Sequence, residues 1–69
     1  MAEFTITIEA ARRNRHMSQA EAAKKLGIAT STLGRWERDE SKIPTPAISG
    51  LAEVYDTPRD LFACLALKL

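Results

Sequence analysis

The sequence is poorest in the residues that carry covalent and metal chemistry. Its one cysteine, Cys64, excludes an internal disulfide and every multi-cysteine metal site, zinc fingers included, and suits a reducing compartment. The one histidine, His16, has no carboxylate or cysteine at ligand spacing, so no metal is expected. Neither a nucleophile-base pair nor a phosphate-binding glycine loop is present, which argues against an enzyme and leaves no cofactor or small-molecule ligand to expect. No apolar run approaches the roughly 18 residues of a membrane span, and Met1-Ala2-Glu3-Phe4 is acidic where a secretory signal would be basic. A soluble cytoplasmic protein without a membrane partner is therefore expected. With domains running to about 100 to 150 residues, the 69-residue chain is too short for a second core and reads as a single domain, 1–69.

A large excess of charge of either sign is missing as well, the net charge being +1. Its distribution is uneven. Residues 12–42 hold eight of the ten Lys and Arg against Glu21, Glu37, Asp39 and Glu40, a net of +4. The remainder holds Arg59 and Lys68 against five acids, a net of −3. A polyanion can dock on the basic side. A chain this short buries only about 60% of its unfolded surface, so dimerisation would add needed stability.

What is present is a succession of helix starts and stops. Thr7 is an N-cap for a first helix from Ile8 to about His16, with Ile8, Ala11 and Arg12 inward and Phe4 or Ile6 packed over its entrance. The alternation from Phe4 to Ile8 also suits a strand. Ser18 opens a second helix, Gln19 to Leu26; Glu21 completes a Ser-x-x-Glu capping box, and Gly27 ends the helix in a left-handed conformation. Thr30 caps a third helix through about Arg38, with Leu33 and Trp36 on one face and Ser31, Arg35 and Arg38 on the other. Thr45 and Pro46 start a fourth helix whose apolar stripe is Ile48, Leu51, Ala52 and Tyr55. Thr57 and Pro58 repeat that arrangement before a last helix carrying Leu61, Phe62, Leu65 and Leu69. The predicted fold is all-α, a compact five-helix bundle.

Residues 19–38 meet the demands of a helix-turn-helix: Ala23 lets the helices approach, Gly27 turns the chain, and Ala22, Leu26, Ile28, Leu33 and Trp36 point inward. The resemblance of the chain rests on Arg12, on the runs Ser18-Gln19-Ala20-Glu21-Ala22-Ala23-Lys24-Lys25-Leu26-Gly27-Ile28 and Ser31-Thr32-Leu33-Gly34-Arg35-Trp36-Glu37, and on Pro44 followed by Leu51-Ala52-Glu53-Val54-Tyr55. On these it resembles, over residues 8–62, the Cro/repressor (Xre-type) family of bacterial and phage transcriptional regulators. The resemblance implies a lambda repressor-like domain that binds DNA as a dimer with its third helix in the major groove. Two positions depart from the family pattern: Asp39 stands where a glycine often follows, and Ala22 replaces a commoner leucine.

Carried over by that resemblance, Thr30, Ser31 and Arg35 fall where base edges are read, and Thr32 lies beside them. Arg35 has the fork that binds guanine O6 and N7, and hydroxyls contact bases less selectively. Gln19 falls where the family contacts a phosphate at a helix N-terminus; Arg38 and Lys42 are the next phosphate candidates. Arg12 and Glu37 match an internal ion pair between the first and third helices, and Trp36 is assigned to the core. Gly34, unfavourable inside a helix, suggests close approach of DNA or a neighbour. Leu61 and Leu65 are expected to face the core, leaving Phe62 and Leu69 for the partner of a homodimer. The expected function is sequence-specific binding of a double-stranded DNA operator by a small phage or prophage repressor or Cro-like protein, since the chain ends at Leu69 without an effector domain. The alternatives are an antitoxin of a toxin-antitoxin pair, which would co-purify with its toxin, and a protein-interaction module, which would lack salt-dependent DNA binding.

Overall fold

Apolar residues at helical spacing, interrupted by caps and left-handed turns, dictate short helices, and the computed structural model describes them over residues 5–66. Phe4, Leu69 and the side chain of Leu65 lie outside the described residues. Helix α1 (Ile8–Asn14) starts at Thr7, whose Oγ1 accepts the Ala10 N–H at 3.1 Å, and it buries the predicted face of Ile8, Ala11 and Arg12. Helix α2 (Gln19–Leu26) has its full capping box: the Glu21 N–H donates to Ser18 Oγ and the Ser18 N–H to Glu21 Oε1. Helices α3 (Thr30–Arg38) and α4 (Thr45–Val54) start one residue earlier than predicted. Ala29 and Pro44 take their cap positions without a side-chain hydrogen bond, so Thr30 and Thr45 are first helical residues rather than caps. Burial of Leu33 in α3 and of Ile48 and Leu51 in α4 holds these helices, as tertiary packing commonly does.

Three helices end in one motif. His16 (φ 57°), Gly27 (φ 75°) and Asp56 (φ 50°) are left-handed. The residue after each donates back to a carbonyl of the last turn, Met17 to Arg12 at 3.3 Å, Ile28 to Ala23 at 3.0 Å and Thr57 to Ala52 at 3.0 Å. Glycine occupies this place only after α2; at His16 a Cβ enters a region that costs about 1 to 2 kcal/mol. Part of that cost is offset by the greater freedom a glycine has when unfolded, so His16→Gly is expected to stabilise by about 0.5 to 1 kcal/mol and to raise the thermal midpoint by a few degrees. A lowered midpoint in a calorimetric scan would contradict this.

The fifth helix is corrected. After Pro58 the chain makes a 3-10 turn (Arg59–Leu61), then an extended residue, Phe62, then a single helical turn, α5 (Ala63–Ala66). Pairing with the N-terminal segment interrupts it: the Ile6 N–H donates to the Leu61 carbonyl at 2.8 Å and the Ala63 N–H to the Ile6 carbonyl at 2.9 Å, an isolated parallel bridge. The strand-like alternation before Ile8 thus becomes one bridge and not a strand. Two main-chain hydrogen bonds hold Phe62 extended with its side chain in the core, 1% exposed, while Leu61 is half-buried. The expected division between them is reversed, and Phe62 has no free side-chain surface to offer a partner.

The buried residues form one cluster that ties the elements together, from Ile8 and Ala11 through Ala22, Ala23 and Leu33 to Ile48, Leu51 and Phe62. Leu26, Ile28 and Trp36 pack against it half-buried. With alanines at 22 and 23, α2 lies against both α3 and α4, and the outer face of α3 is left bare. No helix among the described residues is long and apolar enough to cross a membrane.

Candidate nucleic-acid interface

A buried polar network fixes how α3 is presented. Arg12 Nε donates to Glu37 Oε2 at 2.7 Å and Nη2 donates to Oε1 at 3.2 Å, a two-pronged pair, while Nη1 donates to the Met17 carbonyl at 2.8 Å. The two side chains are 9% and 5% exposed. Hydrogen bonding to Glu37 raises the Arg12 pKa above its usual value, against the desolvation that lowers it, so the guanidinium keeps its proton. Gln19 joins the pair from the start of α2, its Nε2 donating to Glu37 Oε1 at 2.8 Å. A second tie comes from the 3-10 turn Glu40–Lys42: Glu40 Oε2 accepts the Ile8 N–H at 2.8 Å and satisfies an orphan donor at the start of α1. Burial holds the Glu40 carboxyl above its usual range; the Ile8 N–H opposes this and the charge of Glu37 adds to it.

The opposite face of α3 is open. Thr30, Ser31, Arg35 and Arg38 are exposed, and so is Lys42 just beyond; Thr32 is half-buried on the side of Trp36. Ser31, Arg35 and Arg38 follow at the i, i+4, i+7 spacing that lines one stripe of a helix. Among the described residues, Thr30, Ser31 and Thr32 make no side-chain hydrogen bond, which leaves their hydroxyls for a ligand rather than for capping. Arg35, Arg38 and Lys42 face no carboxylate within ion-pair distance among the described residues. The arginines of α1 and its end are paired, Arg13 with Glu9 at 2.8 Å and Arg15 with Asp56 at 3.9 Å. Unpaired positive charge therefore lies along the open face of α3, at Arg35 and Arg38, and at Lys42 beyond it, where a polyanion would meet it, while Lys24 and Lys25 of α2 are also exposed and unpaired among the described residues.

Gly34 lies on the flank of this stripe, covered by two of the proposed contact residues. A Cβ placed there would lie 3.7 Å from Arg38 Nη1 and 3.8 Å from both terminal atoms of the Gln19 amide, ordinary contact distances. The fold does not demand a glycine at 34. The Gln19–Glu37 bond and the Glu40 cap escaped the sequence reading because both join residues far apart in the chain, 18 and 32 positions, with no local pattern to betray them.

Tyr55, fully buried, feels the same network. Its hydroxyl has no hydrogen-bond partner among the described residues. Burial pushes its pKa up to about 12, the charge of Glu37 adds to this and Arg12 opposes it. An unpaired buried hydroxyl costs about 1 to 3 kcal/mol, so Tyr55→Phe is expected to stabilise the protein. Because the folded phenol ionises above the unfolded one, its stabilising preference for the neutral form is present below pH 10 and is lost as pH rises toward about 12. Urea titrations at neutral and alkaline pH check both points: the variant's advantage should be positive and should widen above pH 10.

No group of three or more His, Cys, Asp or Glu among the described residues could hold a metal ion. A helix-turn-helix family model matches residues 8–62. No curated protein and no solved structure matches the chain.

Proposed function

We propose, since the chain belongs to the Cro/C1-type helix-turn-helix family of DNA-binding transcription regulators, that it is a sequence-specific binder of a double-stranded operator, a small phage or prophage repressor or Cro-like protein acting in the cytoplasm. The observation that carries this reading is the exposed stripe of α3, where Ser31, Arg35 and Arg38 stand without partners among the described residues beside a tightly bonded buried face. Thr30, Ser31, Thr32 and Arg35 are assigned to base edges, and Gln19, Arg38 and Lys42 to phosphates. Fluorescence anisotropy with labelled duplexes in a salt series tests it: affinity falls steeply with salt, and Lys42→Ala reduces the slope by about 0.9 while weakening all sequences alike. Binding that is indifferent to salt would remove the DNA reading.

Two copies are proposed to bind a near-palindromic site with half-site centres about 34 to 36 Å apart, because one recognition helix reads too few base pairs for useful selectivity. Sedimentation of the protein with and without its selected duplex decides this; one copy on an asymmetric site at saturating protein would refute it.

A further inference from the structure

Gln19 and Arg38 come from different helices, yet both reach over the same backbone position. The terminal amide of Gln19 and Nη1 of Arg38 each lie within 3.8 Å of the point where a side chain at 34 would begin, and together they cover the buried Gly34. One Gln19 N–H is engaged by Glu37, which fixes the amide and leaves its second N–H free. Arg38 has no carboxylate partner among the described residues, so its fork is unspent. Glu37, the nearby charge that would repel an anion, is neutralised by the two-pronged bond from Arg12, and the positive charge of Arg38 is left over. We infer that Gln19 and Arg38 form one clamp for a single DNA phosphate, seated over Gly34, and that Glu37 acts as its positioning residue by holding the amide. Gly34 is itself buried beneath these two side chains, so the phosphate would meet their outer ends. The proposal rests on the DNA-binding reading above and refines it from two phosphate contacts to one shared contact.

A double-mutant cycle on the full chain, read as affinity for a random-sequence duplex at low salt, tests it. Gln19→Ala and Arg38→Ala are each expected to weaken binding about tenfold, since each removes a hydrogen bond to a charged group. If they share a phosphate, the double variant should be well short of the hundredfold product, within about twofold to threefold of Arg38→Ala alone. Losses that multiply overturn the clamp while leaving DNA binding intact. Failure of the unaltered chain to bind any duplex overturns the DNA reading and the clamp together.

Discussion

Glu37→Ala is expected to remove most of the stability of the fold. The change strands the Arg12 guanidinium in a site where only 7% of the residue is exposed, and breaking a buried pair by removing one partner costs about 3 to 5 kcal/mol. Below about 70 to 80 residues a single hydrophobic core rarely supplies more than about 3 to 5 kcal/mol of net stability, so the loss is comparable with the total. The amide of Gln19 loses its acceptor at the same time. Urea denaturation at neutral pH should therefore show a midpoint near zero denaturant, or no cooperative transition at all. The double replacement Arg12→Met with Glu37→Leu separates the causes. Apolar residues of similar volume leave no stranded charge, so the double variant should recover most of the loss. A single variant that loses less than about 1 kcal/mol would mean that water reaches Arg12 and that the pair behaves as a surface ion pair.

The elements that local chemistry specifies are legible in the sequence. The capping box at Ser18 and Glu21, the left-handed Gly27 and the small Ala23 place α2 and the turn with little help from the rest of the chain. The inward face of α1 followed from spacing, and it includes Arg12, whose charge would have argued for the surface. What escaped depends on distant parts of the chain. Phe62 and Leu61 follow a proline start that elsewhere opens a helix, but Ile6, more than fifty positions away, takes Phe62 into a main-chain bridge and turns its side chain inward. Nothing in a helical period encodes that pairing. Likewise His16 and Asp56 adopt the conformation that glycine signals at 27, because the hydrogen bonds of the motif outweigh the strain at a residue that sends no such signal. The interface is half legible for the same reason. Residue type and spacing pick out Ser31, Arg35 and Arg38, whereas the convergence of Gln19 and Arg38 over Gly34 exists only once α2 and α3 are packed.

Arg35→Ala should change which DNA is bound as well as how tightly. The side chain stands exposed on α3, one turn beyond Ser31, with no carboxylate among the described residues to compete for its fork. A guanidinium that meets guanine O6 and N7 together discriminates that base by about 1 to 3 kcal/mol, and alanine retains none of it. Removing a phosphate contact would instead weaken every sequence alike, as predicted for Lys42→Ala. Arg35→Ala is therefore expected to cost about 1 to 3 kcal/mol on the preferred site, to flatten preference at one base pair per half-site, and to leave other positions as they were. The fold should survive, since the residue is exposed and makes no ion pair among the described residues. Selection from random duplexes before and after the substitution supplies the comparison. A parent preference without a guanine would deny the fork its target, and a uniform loss across all sequences would reassign Arg35 to the phosphate backbone and leave Thr30, Ser31 and Thr32 as the base-reading residues.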